Sequence, residues 1–161
     1  MYFTRDKDGS ISIREVGLAD VTDNVLYVSA TGSDEDNNGT TIAEAYASLN
    51  QALSVATTGT TVFLKSGDHV LDNDAGGVTI PEFVSIVGDN LRTTNIRPST
   101  VTNDLFYVNK GSYVTGVTFR DYESPAAAIS FNPDGSAGNI TTSPYIQNCS
   151  SITTTGTGMR V

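Results

Sequence analysis

The run Thr4-Arg5-Asp6-Lys7-Asp8-Gly9-Ser10-Ile11-Ser12-Ile13-Arg14-Glu15 carries oxygen ligands at a recognisable spacing. Asp6, Asp8, Gly9, Ile11 and Glu15 fall at the third, fifth, sixth, eighth and twelfth positions of an EF-hand calcium loop. Such a loop works only between two helices that hold its oxygens around the ion. Only Met1, Tyr2 and Phe3 precede it here, which leaves no length for an entering helix, and Thr4 stands where the first carboxylate is needed. Ser10 to Arg14 alternates polar and apolar with the period of a strand, and Asp8-Gly9 is a two-residue turn signal. The same residues therefore predict a β-hairpin, Tyr2 to Arg5 against Ser10 to Ile13, with no metal.

Other side chains capable of chemistry are scattered. The acids lie mostly in loops: Asp34, Glu35 and Asp36 in one, Asp72 and Asp74 in another. Cleavage of a glycosidic bond needs two carboxyl groups at a fixed separation, and no pattern here declares such a pair. Arg120-Asp121 is the one adjacent strand pair with suggestive chemistry, and it reads equally as a solvated ion pair. Asp34, Asp36 and Asn38 could offer oxygens to Ca²⁺, but no bidentate acid follows at a suitable distance, so the loop reads as solvated. His69, the single histidine, reads as structural, and Cys149, the single cysteine, as a small buried apolar residue. Nucleophile-elbow, zinc-protease and phosphate-loop motifs do not occur. The expectation is no catalytic residue, no metal and no cofactor.

Bulk properties narrow the classes further. The 161 residues suit one domain with a real core. A net charge of -9, with nine Lys and Arg scattered singly, argues against a nucleic-acid surface. One cysteine excludes an internal disulfide framework. No apolar stretch approaches the ~18 residues of a membrane span, and no secretory leader pattern is present. Without such a leader, the glycosylation triplets at Asn38, Asn139 and Asn148 carry little weight. Thr, Ser, Asn, Gly and Val are abundant and helix formers sparse, which favours strands and turns.

Along the chain, residues 1–24 read as a hairpin arm with a mixed linker, and a new organisation begins at Val25-Leu26-Tyr27-Val28-Ser29. One helix is predicted, in Ser48-Leu49-Asn50-Gln51-Ala52-Leu53-Ser54-Val55-Ala56. Ser48 and Gln51 form a capping box, and Leu49, Ala52, Leu53 and Ala56 make one apolar face. From Thr60 onward only strands are predicted: TTVFLKSG, VTIPEFVSIVGDN, TNIRP, DLFYVNKGSYVTGVTFRDY, AAISF, PYIQNCSSI and GMRV. Short strands at loosely repeated intervals with loops of variable length predict a solenoid.

The succession LYVSATGSD, NNGT, ASLNQALSVATTGTTVFLKSGDHVL, VTIPEFVSIVGDN and SYVTGVTFRD resembles the opening of right-handed parallel β-helix proteins of the pectate-lyase-like class, over residues 25–161. The closing SPYIQNCSSITTTGTGMRV resembles virion proteins of tailed bacteriophages, particularly those infecting marine cyanobacteria. The resemblance implies an all-β fold, a right-handed parallel β-helix with a short N-terminal capping helix, preceded by the hairpin arm. The helix would cover the first turn near Val62, Leu64 and Val70. The last strand, at Gly158 to Val161, is expected to continue in a longer polypeptide or to be covered by another subunit. The function implied is a non-enzymatic structural protein of the virion, such as a tail fibre, tailspike or baseplate appendage, assembled as a homotrimer. It would dock on other virion proteins through Tyr2, Phe3, Ile11, Ile13 and Val16, with a host-surface glycan as a further partner and no nucleic acid or membrane. The alternative is a tailspike or lyase that degrades host polysaccharide.

Overall fold

The computed structural model describes residues 2–5, 11–14, 24–131 and 144–160. At the start of the chain, strands β1 (Tyr2–Arg5) and β2 (Ile11–Arg14) pair antiparallel, with Tyr2 opposite Arg14 and Arg5 opposite Ile11. The second strand lies one residue later than alternation predicted. A shift of one residue matters in a hairpin because it exchanges the two faces. The Asp8-Gly9 turn, Val16 and the side chains of both strands lie outside the described residues.

From Val25 the backbone coils. Strand β3 (Val25–Val28) is followed, after the helix, by four sets of three strands. These are β4 (Thr61–Leu64), β5 (Gly67–Leu71) and β6 (Val78–Thr79); β7 (Ser85–Gly88), β8 (Thr94–Pro98) and β9 (Phe106–Tyr107); β10 (Tyr113–Thr115), β11 (Thr118–Arg120) and β12 (Ala127–Ser130); β13 (Tyr145–Gln147), β14 (Ser150–Ile152) and β15 (Thr157–Arg160). Corresponding strands pair in parallel. A first sheet runs β3-β4-β7-β10-β13, a second β5-β8-β11-β14 and a third β6-β9-β12-β15. The described residues from Val25 onward form a parallel β-helix of about three turns with one short helix.

Stacking gives every turn the core that it cannot make alone. In the first sheet Leu26, Val62, Ile86, Val114 and Ile146 align in one inward column. His69, Ile96, Phe119 and Ser151 form the second sheet's column, and Val78, Phe106, Ile129 and Met159 the third's. Val62, Ile86, Ile96, Phe106 and Val114 are wholly buried. Burial of such a side chain contributes about 1.5–3 kcal/mol against the entropy of ordering the chain. Phe106 and Phe119 meet edge to face, 6.2 Å between centroids, linking the second and third sheets.

The corners explain why single runs of sequence hold more than one strand. VGDN and VTGVT each turn from the first sheet into the second. Gly116 has φ +73°, and Asn148, which occupies the corner one turn on, has φ 47°. A Cβ on Gly116 would sit 2.7 Å from the Gly88 carbonyl oxygen. Glycine is needed there both for its backbone angle and for the approach of the neighbouring turn.

Helix α1 (Leu49–Val55) caps the first turn. Seven residues are too few for a helix to persist alone, so packing must hold it. Leu49, Ala52 and Leu53 are buried, Ala56 packs against the same core, and the helix touches β3, β4 and β5. Ser48 is the N-cap, its hydroxyl accepting from Gln51 N–H at 3.1 Å. The reciprocal half of the expected capping box is replaced: Ser48 N–H donates to Asp34 Oδ1 at 3.0 Å. Val70 is not under the helix as expected. It points outward, 45% exposed, because His69 and Leu71 take the inward positions of β5.

Candidate functional site

The expected docking residues Tyr2, Phe3, Ile11 and Ile13 fall on the two paired strands of the arm, and nothing of their side chains is described. The remaining candidates can be placed. The acidic loop is built on its own hydrogen bonds. Asp34 Oδ1 accepts from Ala47 and Ser48 N–H at 2.8 and 3.0 Å, tying the loop to the start of α1. Asp36 accepts from the Ser33 hydroxyl, and Asn38 Oδ1 from Thr40 N–H and hydroxyl. Asp34 and Asn38 thus spend oxygens on the chain, and no three His, Cys, Asp or Glu converge among the described residues.

Asp72-Asn73-Asp74, in the second acidic loop, clamps successive turns together. Asn73 is buried, and its Nδ2 donates to the carbonyls of Thr100, Asn103 and Asp104 within 3.1 Å. Its Oδ1 accepts from Thr100 N–H at 2.9 Å and from the Ser99 hydroxyl. Asp74 accepts from the hydroxyls of Thr100 and Ser99 at 2.6 and 2.7 Å, which holds its carboxyl below the usual carboxylate range. This amide makes the contacts that fasten the long connection between the second and third sheets.

His69 lies in the core at 3% exposure, with Nε2 2.7 Å from the Lys65 carbonyl and Nδ1 without a partner among the described residues. Burial pushes its pKa down, so it is held neutral and, with Nε2 carrying the proton, donates to that carbonyl. The Cys149 thiol is partly buried against the core, within 3.2 Å of the Gln147 carbonyl, and burial pushes it up, away from thiolate chemistry.

Arg120 and Asp121, which read equally as a solvated ion pair, do not pair with each other. The one ion pair among the described residues joins Arg160 to Asp104 at 3.1 Å. Asp121 is exposed, at φ +59°, at the corner where β11 ends. Arg120 points outward from the second sheet, half-buried, and its Nε is enclosed without a hydrogen-bond partner among the described residues. It lines a shallow groove of about 450 Å³ with Leu91, Arg92, Asn95, Thr118, Ser150 and Ile152.

The outer face of the first sheet carries a feature that sequence reasoning missed. Its outward columns are Val25, Thr61, Ser85, Tyr113 and Tyr145 in one row, and Tyr27, Phe63, Val87, Thr115 and Gln147 in the other. Tyr27 and Phe63 meet edge to face at 5.9 Å, while Tyr113 and Tyr145 stack at 5.8 Å with rings 14° apart. Gln147 Nε2 donates to the Tyr113 hydroxyl and pins the lower pair. Each residue alternates with a core position in a strand of three or four residues, too short for the row to declare itself. Once the register stacks them, Val25, Tyr27, Phe63, Val87, Tyr113 and Tyr145 form a stripe of half-buried side chains, ending in the exposed Tyr145, that passes from one row to the other and is flanked by Thr61, Ser85, Thr115 and Gln147. No family model matches the chain, and no curated protein or solved structure gives a significant match.

Proposed function

We propose that the chain is a non-enzymatic structural protein of a tailed-phage particle, attached through residues 1–24 and projecting a β-helix that associates side by side with copies of itself as a homotrimer. The observation that carries this reading is the stripe on the first sheet. A face that runs the length of a solenoid and presents Tyr27, Phe63, Val87, Tyr113 and Tyr145 is matched best by an equally long, straight face. A second copy of the same coil supplies one. A contact between this stripe and a different flank of the next copy closes into a ring when the rotation between copies closes, and the homotrimer is the ring proposed here. The likeness of the closing segment to phage virion proteins supplies the setting. The hairpin at the start supplies strands whose edges can pair with a neighbour by β-addition.

The attachment role is tested by deleting residues 1–24. The truncated chain should keep the circular dichroism and the melting of a folded β protein while failing to join the particle; incorporation at the wild-type level would remove the assignment. Activity against host-surface polysaccharide that disappears on Arg120→Ala or Asp121→Ala would instead make the chain a degrading tailspike.

A further inference from the structure

We infer that the groove on the outer face of the second sheet binds an oxyanion, a carboxylate or sulfate group, between Arg92 and Arg120. The distribution of charge points to it. The chain carries a net charge of -9 with only nine Lys and Arg, yet three of these gather on one face. Arg97 stands on β8 in the outward column that begins at Val70. Continuing the register Thr118↔Asn95 and Phe119↔Ile96 by one residue sets Arg120 beside Arg97. Arg92 lies in the loop that leads into β8 and lines the same groove as Arg120. Like charges on adjacent strands repel, and an acidic chain has carboxylates to spare for pairing them. None is used: no ion pair forms at these arginines among the described residues. Nearby carboxylates have other partners, Asp68 with the Asn95 amide at 2.8 Å and Asp89 with the Ser66 hydroxyl at 2.8 Å.

Arg120 gives the second line of argument. Its Nε is enclosed and has no acceptor among the described residues, so it is the rest of the guanidinium, where it lines the groove, that an outside acceptor can reach. A guanidinium offers parallel N–H donors in a planar fork, which matches two oxygens of a carboxylate or sulfate. Ser150 lines the groove with a hydroxyl able to contact the group that carries the oxyanion, and Asn95 lines it with an amide that also donates to Asp68. Among the described residues no carboxylate or histidine lines the groove to activate the Ser150 or Thr118 hydroxyl, so the proposal is of binding and not of catalysis. It concerns ligand chemistry and stands whether or not the chain belongs to a particle.

The test uses the full chain, wild type and with Arg92→Gln plus Arg120→Gln, over immobilised dextran sulfate, polygalacturonate and neutral dextran, with inorganic sulfate as competitor. The net negative charge repels anions in general, so retention reports a local site. The wild type should bind at least one anionic polymer and not neutral dextran, and the double substitution should weaken binding at least tenfold. Competition by inorganic sulfate at equal concentration of charged groups assigns the site to a free ion; a tenfold or larger preference for the polymer assigns it to a saccharide chain. Equal binding by wild type and variant, or equal binding of neutral dextran, overturns the inference. Arg120→Lys guards against loss of fold in the double variant. It keeps the charge, removes the fork, and should still weaken binding several-fold with an unchanged melting temperature. Wild-type binding by the lysine variant would also overturn the inference.

Discussion

Leu49→Ala tests whether the helix is a lid on the coil or an ornament beside it. Leu49 is wholly buried, and with Ala52 and Leu53 it is the part of α1 that enters the core. Truncation removes three carbons from a site walled by the first turn, which can close on the gap only in part. Leu→Ala changes of this kind cost about 2–5 kcal/mol. The upper part of that range is expected to be softened here, because a seven-residue helix can shift towards the hole. About 2.5–4 kcal/mol is therefore the working value, a large share of the ~5–15 kcal/mol that holds a domain together. Val55, on the same helix but 45% exposed, supplies the control, and Val55→Ala should stay within about 0.5 kcal/mol. Urea denaturation followed by circular dichroism reads both values. A lower slope in the Leu49 variant would show the cap fraying ahead of the remaining turns, as a chain of nearest-neighbour units allows. Equal, small effects for Leu49 and Val55 would refute the lid.

Three further outcomes follow from the same geometry. Gly116→Ala should destabilise by about 2 kcal/mol or more, since it adds a Cβ at φ +73° against the Gly88 carbonyl; denaturation midpoints unchanged from wild type would count against the stacked corner. Asn73→Leu leaves the carbonyls of Thr100, Asn103 and Asp104 without their amide donor, and should cost about 2–4 kcal/mol in the same assay, whereas a neutral result would show that the clamp is dispensable. Burial holds His69 below the ordinary imidazole value, so below pH about 6.5 the unfolded chain takes up a proton that the folded chain refuses. Stability should then fall as pH drops from 7 towards 5.5, and His69→Gln should flatten that slope; an identical slope in the variant would contradict the assignment.

How much of this was readable beforehand depended on whether the signal was local. The helix announced itself because Leu49, Ala52, Leu53 and Ala56 recur at helical spacing behind Ser48. The coil was legible from the succession of short strands, though its turns obey no fixed period. The core column steps from Val62 to Ile86, Val114 and Ile146, intervals of 24, 28 and 32 residues. Variable connections defeat a search for exact repeats while leaving the strand ladders intact. The corners were not legible. VTGVT reads as one strand until Gly116 is seen to turn it, and VTIPEFVSIVGDN holds two strands of different sheets. Val70 was misplaced for a related reason, since in GDHVL either alternate set could face inward, and the buried set contains the histidine. Both candidate faces were invisible because they are made of residues from different turns. Tyr27 and Phe63, or Arg92 and Arg120, become neighbours only through register.

The proposal that copies of the coil associate along the first sheet is tested most directly by sedimentation equilibrium of the full chain beside its Phe63→Lys/Tyr113→Lys variant. Both substituted residues lie on the outer stripe, outside the core columns. The wild type should sediment at about three times the 17.0 kDa of one chain, and the variant, still folded, at the mass of one chain. A wild type that stays at 17.0 kDa at all concentrations, or a variant that keeps the wild-type mass, would contradict the account.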